Sequence, residues 1–270
     1  MSTPVAGPVR IDIPAPHVRL LTLDRPDALN ALNWEMVGAI HDALDVVAND
    51  EDCRVAVITG AGRGFCSGLD LRDMGRFPAV GEHPQVVVGA GGQEFIAKIP
   101  VRMRETPQII IAAVNGAAYG GGLCVALGAD LRIASASARF CSAFIRTGLS
   151  GTDIGVSFLL PRLIGAARAF DMIVTGREVK ADEAERMGLV SRVVPDDQLV
   201  AAAVELASQV AAYSRTGLLL TKEVMWQNLD NPSLAGAIAV ENRNQNIASR
   251  TAEIQEYMAA FKEKRPARYE

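Results

Sequence analysis

Between Thr106 and Ala129 the chain carries no charged side chain, and this stretch constrains the fold more than any other. It is long enough to cross a bilayer as a helix. Its residue types argue against that. Ile109 to Val114 is an apolar, strand-like run, Asn115-Gly116 is a turn signal, and Gly120-Gly121-Gly122 is a run that a membrane helix does not favour. The stretch reads as strand, turn and glycine-rich helix start near Gly121. No membrane span is expected.

The flanks extend this alternation. Val9, Ile11 and Ile13 alternate with polar residues, and His17 to Leu23 forms a second extended run, so a hairpin opens the fold. Asn33 is placed to cap a helix whose inner face is Met36, Ile40, Leu44 and Val47. Val55 to Ile58 is a buried strand, and a short helix is expected near Leu71. Phe77 to Gly92 is the least regular stretch and reads as a mobile loop before a helix at 93–104. Further strands fall at Leu131 to Ala134, Arg139 to Cys141 and Leu189 to Val194. Strand and helix in succession mean an α/β core with parallel pairing. Beyond Pro195 come helices at about 196–213, 215–228, 232–249 and 251–262. We divide the chain into a core at 1–195 and a helical C-terminal region at 196–270, whose extra apolar faces suit contact with further copies.

Composition narrows the function classes. With Lys+Arg 27 against Asp+Glu 31 and no basic block, no nucleic-acid partner is expected. Hydrophobic residues at 49% and charged ones at 21% exclude a disordered or collagenous chain. Cys53, Cys66, Cys124 and Cys141 form no CxxC, and none has a histidine at metal-ligand spacing. Reduced thiols in a cytoplasmic protein, with no metal, are the expectation. Met1 to Arg10 has no apolar segment of the signal-peptide kind.

Three glycine clusters invite chemistry. Gly60-Ala61-Gly62-Arg63-Gly64 follows a strand but lacks the G-x-G-x-x-G spacing of a dinucleotide fold. Gly64-Phe65-Cys66-Ser67-Gly68 has the outline of a nucleophile elbow, but the three scattered histidines His17, His41 and His83 give no support for a base; a buried small hydrophobe is the simpler reading of Cys66. The triplet at 120–122 has a better account. Just before a helix, it presents free N–H groups at the positive end of the helix dipole. The loop Ser67-Gly68-Leu69-Asp70 can offer a second N–H. Two convergent N–H groups suit a thioester carbonyl oxygen as it becomes an enolate. Either loop alone also fits a simple packing turn.

The ordered blocks Arg25-Pro26-Asp27-Ala28-Leu29-Asn30-Ala31-Leu32, Gly64 to Leu71, Ala112 to Gly122 and Thr175 to Pro195 together resemble the enoyl-CoA hydratase/isomerase (crotonase) family. The resemblance implies an α/β fold of repeated ββα turns with a helical C-terminal oligomerisation region. It also implies acyl-CoA thioester substrates, a homotrimer or hexamer, and no cofactor beyond the coenzyme A of the substrate. It assigns the two oxyanion N–H groups to Leu69 and Gly121. Contacts to the CoA thioester are implied for Ala28, Ser67, Gly68, Leu69, Asp70, Leu71, Gly121 and Phe144, with Arg25 and Lys264 as candidates for the phosphates.

The chain departs from the family hydratases at two positions. Where they carry two glutamates, this sequence has Cys124 and Phe144. One acid remains in the neighbourhood. Gly148 to Gly155 resembles the loop where related acyl-CoA isomerases, among them dienoyl and epoxide types, carry an aspartate; here it is Asp153. Asp153 reads either as a single acid/base, with Phe144 and Phe158 as apolar neighbours, or as an N-cap of a helix at 154–164. The inventory fits double-bond isomerisation better than hydration. Hydration of the fatty-acid β-oxidation type and non-catalytic acyl-CoA binding stay open.

Overall fold

The computed structural model describes residues 7–73 and 85–269. The chain opens as the expected hairpin, with β1 (Val9–Ala15) antiparallel to β2 (Val18–Leu23). Asn33 caps α1 (Trp34–Ala48): its side-chain oxygen accepts the Met36 N–H at 2.9 Å, and Met36, Ile40, Leu44 and Val47 are buried as their spacing predicts.

Three passes of the chain then repeat one plan. The first is β3 (Val55–Gly60), β4 (Gly64–Cys66) and α2 (Gln85–Glu105). The second is β5 (Ile109–Val114), β6 (Ala117–Tyr119) and α3 (Gly121–Gly128). The third is β7 (Leu131–Ser135) and β8 (Arg139–Cys141), a 3-10 turn at Ala143–Thr147, then α4 (Val156–Ile164) and α5 (Ala166–Thr175). In each pass the first strand joins a six-stranded sheet and the second a four-stranded sheet. This is the repeated ββα arrangement.

After β9 (Glu178–Lys180), α6 (Ala181–Met187) and β10 (Val193–Val194), the larger sheet is complete in the order β1-β2-β3-β5-β7-β10, parallel beyond its hairpin. The smaller runs β4-β6-β8-β9, with β9 antiparallel. The C-terminal helices are α7 (Leu199–Ala211), α8 (Arg215–Asn228), α9 (Leu234–Ala248) and α10 (Ala252–Glu263).

Strand alternation explains the layering. Ala56, Ile58, Ile110, Ala112 and Val114 face α1, α2 and α3 in the main core. Their neighbours Val55, Val57, Ile111 and Ala113 face the other way, where α7 covers them with Leu199, Ala203, Ala207 and Ala211. Both faces of the central strands are therefore dry. That is why the stretch from Thr106 tolerates no charge. No helix among the described residues is long and apolar enough to cross a membrane.

Some sequence expectations shift. Helix α2 begins at Gln85 rather than 93, so residues 85–92 are helical and not loop. Burial of Ile96, Ile99 and Met103 anchors the helix, and tertiary packing overrides the poor helix propensity of the glycines before them. The remainder of the expected loop, 77–84, lies outside the described residues. The chain at 71–72 is a bend, so the short helix expected near Leu71 is not seen among the described residues. The last strand is only Val193–Val194, because Gly188 turns left-handed and the Leu189 N–H closes α6 on the Ala184 carbonyl at 2.8 Å.

His41 joins α1 to α2. Its Nε2–H donates to the Phe95 carbonyl at 2.9 Å, and its ring lies 4.6 Å from the Phe95 ring. Nδ1 is buried and has no partner among the described residues, so a second ring proton would find no acceptor there. Burial accordingly holds the His41 pKa below its usual 6.5. In the unfolded chain His41 takes up its proton first as pH falls through about 6.5, so the folded state loses stability over the window just below that value. Thermal melts from about pH 8 to pH 5 should show a steeper acid loss for the wild type than for His41→Gln. Equal slopes would remove His41 as the cause.

Candidate active site

Two loops meet at one pocket. After β4, the segment Gly68-Leu69-Asp70 runs beside Leu32 as a parallel bridge: the Leu32 N–H donates to the Gly68 carbonyl at 2.7 Å and the Asp70 N–H to the Leu32 carbonyl at 3.0 Å. The flanking residues thus pair with Leu32, and the N–H of Leu69 is directed away from it. Across the pocket, Gly121 is the first residue of α3, where helical geometry supplies no acceptor for its N–H. Neither N–H has a protein acceptor among the described residues.

Backbone contact holds the two loops together. Gly68 has φ +93°, and a Cβ on it would lie 2.7 Å from the Tyr119 carbonyl oxygen and 3.5 Å from the Gly121 nitrogen. Only glycine meets both conditions. Asp70 then fixes the first loop from behind. Its carboxylate accepts from Arg25 Nη2 at 2.9 Å and from the N–H groups of Arg72 and Asp73 at 3.2 Å. Burial opposes ionisation of Asp70, but the Arg25 and amide hydrogen bonds outweigh it and hold its carboxyl below the usual range.

The cavity between the loops has a volume of about 200 Å³ and is mainly apolar. Leu32, Leu69, Leu71, Ile96, Phe144, Leu149 and Ile154 supply its walls, with Ser67, Thr147 and Gln93 as polar side chains. Asp153 is the only ionisable side chain among its described lining residues. It is half-buried, in the loop between the 3-10 turn and α4. Its Oδ1 accepts the Ile154 N–H at 2.7 Å and a hydrogen bond from Gln93 Nε2.

The Asp153 side chain does not cap α4. Gly155 occupies the N-cap position, and only the Asp153 carbonyl takes part, accepting the Val156 N–H at 2.9 Å. Phe158 does not line the pocket; it is half exposed, with the Arg162 guanidinium stacked 3.4 Å from its centroid.

At the position of the first family glutamate, Cys124 is fully buried and its Sγ–H donates to the Asp153 carbonyl at 3.6 Å. Burial raises its thiol pKa, as it does for Cys66, which is pushed up to about 12. Neither is a nucleophile at neutral pH. At the second glutamate position, Phe144 presents its ring to the pocket and packs over Gly120.

The pocket therefore gathers Ser67, Gly68, Leu69, Leu71, Gly121, Phe144 and Asp153. Ala28 and Asp70 are not among its lining residues. The Ala28 carbonyl accepts from Ser67 Oγ at 3.4 Å, and Asp70 is committed to Arg25. Arg25 in turn also donates to the Ala31 carbonyl at 2.7 Å, so its guanidinium is engaged inside the protein. Lys264, at the end of α10, does not line this pocket. Sequence reasoning missed Leu32, Gln93, Ile96, Thr147, Leu149 and Ile154. The only signal for Gln93 was helical: it sits three residues before Ile96, on the side of α2 that reaches the pocket.

The sequence profile of the enoyl-CoA hydratase/isomerase family matches residues 15–270. The chain belongs to that family. A Mycobacterium bovis protein named "probable enoyl-CoA hydratase" is 43% identical over 95% of this chain and 90% of its own length. The 1,2-epoxyphenylacetyl-CoA isomerase of Escherichia coli is 36% identical over 93% of this chain and 94% of its own. A crystal structure of a probable enoyl-CoA hydratase/isomerase from Mycobacterium abscessus superposes with a TM-score of 0.90 at 41% identity, covering 97% of this chain and 98% of that one. As a member of the enoyl-CoA hydratase/isomerase family, the protein is an enzyme acting on acyl-CoA thioesters.

The contact at Gly68 gives a direct test. Gly68→Ala would force a left-handed alanine whose Cβ strikes the Tyr119 carbonyl. It should destabilise the protein by about 2 kcal/mol or more in denaturant unfolding and lower kcat/KM for an enoyl-CoA at least about tenfold. An alanine variant with wild-type activity would separate this loop from the reaction.

Proposed function

We propose that the enzyme shifts the double bond of an enoyl-CoA thioester, with Leu69 and Gly121 as oxyanion donors and Asp153 as the single acid/base. The observation that carries this reading is the pocket's composition: two acceptor-free N–H groups and one carboxylate in an otherwise uncharged wall. In the proposed reaction the thioester oxygen of a 3-enoyl-CoA accepts hydrogen bonds from the two amides. The Asp153 carboxylate removes a proton from C2, and the electron pair of that C–H bond enters the conjugated dienolate. The same carboxyl group returns the proton to C4. The electron pair at C2 then forms the 2,3 double bond as the 3,4 bond becomes single, so no atom is gained or lost. Hydration would need water to be activated and C2 protonated, and Cys124 and Phe144 stand where the hydratases place carboxylates for that work.

Hydration remains the second reading, favoured by the name of the M. bovis relative. The E. coli relative adds an epoxide-derived acyl-CoA to the substrates worth testing. A panel of 3-enoyl, 2-enoyl and epoxyaryl thioesters separates these activities, and affinity without turnover on any of them would mark a pure binder. Asp153→Asn should lower kcat for isomerisation at least about a hundredfold with acyl-CoA affinity little changed, since a positioned acid/base contributes about 10²–10⁴-fold. Cys124→Ala should keep its turnover. Full activity in Asp153→Asn would sink the mechanism.

We also propose a homotrimer or hexamer in the cytoplasm, built through the C-terminal region at 196–270. The support is apolar surface left open on one chain: Met225 of α8, Leu234 and Ile238 of α9, and Tyr257, Met258 and Phe261 of α10, with Leu234 77% and Phe261 69% exposed. Light scattering at micromolar concentration should give a trimer or twice that mass. A monomer would overturn it.

A further inference from the structure

We infer that Gln93 is a positioning residue that fixes the Asp153 carboxylate so that Oδ2 alone exchanges protons with the substrate; this rests on the reading of Asp153 as the acid/base. Gln93 and Asp153 come from different walls of the pocket, α2 and the loop before α4, and the amide of Gln93 spans between them. Because a carboxylate only accepts, the amide must present its NH2 group. The second donor, the Ile154 N–H, reaches the same oxygen at 2.7 Å. Both donors therefore fall on Oδ1, and no hydrogen bond engages Oδ2 among the described residues. A proton taken from substrate has one open oxygen to land on.

The backbone supplies an independent observation. Ile154 has φ +46°, a left-handed conformation that a β-branched residue rarely adopts. Its side chain is buried and stays in the pocket wall. In that conformation the Ile154 N–H meets the side chain of the residue before it. Backbone strain of this kind persists only where surrounding packing imposes it, and it collects at working sites. Strained backbone on one side and Gln93 on the other hold Oδ1 from two directions. A single acid/base that must reach both C2 and C4 needs this restraint, because a freely rotating carboxylate would present either oxygen at random.

The test compares Gln93→Leu, Asp153→Asn and the double variant, with hex-3-enoyl-CoA for turnover and hexanoyl-CoA for affinity. Gln93 is exposed, so its replacement should leave the melting temperature near that of the wild type. Gln93→Leu should lower kcat by about tenfold or more, the loss expected for one hydrogen bond to a charged group, with KM and hexanoyl-CoA affinity unchanged. On the Asp153→Asn background the same replacement should cause no further loss, since Gln93 acts through that carboxylate. Equal losses in both backgrounds, or a loss of affinity with kcat intact, would make Gln93 a substrate contact and overturn the inference. Full turnover in Gln93→Leu beside a crippled Asp153→Asn would overturn it while leaving Asp153 as the acid/base. Full turnover in both would instead overturn the reading beneath it.

Discussion

The site depends on backbone packed directly against backbone. A Cβ on Gly122 would lie 2.0 Å from the carbonyl oxygen of Cys66, so the first turn of α3 sits on the end of β4 with no side chain between them. This contact sets the distance between consecutive ββα passes where the pocket opens. The two loops that carry Leu69 and Gly121 leave from these same segments. Any side chain at 122 would part the passes, and the two N–H groups with them. The apolar interior around the contact follows from it, since backbone this close leaves no room for hydrated groups.

Polar ties then lock the loops laterally. Asn30 is fully buried: its Oδ1 accepts the Arg25 N–H at 2.9 Å, and its Nδ2 donates to the carbonyls of Ala61 and Gly64 at 2.9 and 2.8 Å. Asn115 grips the same turn from the next pass, accepting the Gly60 N–H and donating to the Gly62 and Gly64 carbonyls. These two amides supply donors to the turn carbonyls of Ala61, Gly62 and Gly64, which accounts physically for the Arg25–Leu32 and Asn115-Gly116 blocks. The residues most diagnostic of the family are thus largely fasteners, and the groups facing the pocket are set between them.

That division explains what the sequence made legible. Elements with a strong period, such as α1 behind Asn33 or the strands at 55 and 109, were readable because burial on one or both faces dictates their residues. The meeting of Leu69 and Gly121 at one pocket was readable because both are backbone groups beside glycines whose placement has few other causes. Gln93 was not, since its hydrogen bond to Asp153 spans sixty residues of chain and its own segment looks like a poor helix. Ile154 was hidden for a different reason. Nothing in an Asp-Ile-Gly string announces a left-handed isoleucine; tertiary packing imposes it. The N-cap reading of Asp153 failed on the same local scale, because Gly155 and the Asp153 carbonyl open α4 without the carboxylate.

The rear of α3 completes the electrostatic picture. Arg104 Nη2 donates to the Leu127 carbonyl at 3.0 Å and Arg132 Nη1 to the Ala129 carbonyl at 2.7 Å, both at the C-terminal end of α3. Desolvation pulls each guanidinium pKa down to about 10, which still leaves both charged at neutral pH. Asp130 balances part of this charge, pairing with Lys222 at 2.9 Å and accepting from Trp226 Nε1 at 2.8 Å. Cations at the C-terminal carbonyls oppose the negative end of the helix dipole, while the positive end at Gly121 stays open to an anion. Lys222 and Trp226 belong to α8, so the C-terminal region is bound through buried charge to the back of the helix that serves the pocket. A shift of α8 would leave the buried Lys222 ammonium without its carboxylate and take the Trp226 donor from Asp130, and the cost of those lost partners ties the position of the C-terminal helices to the geometry of the site.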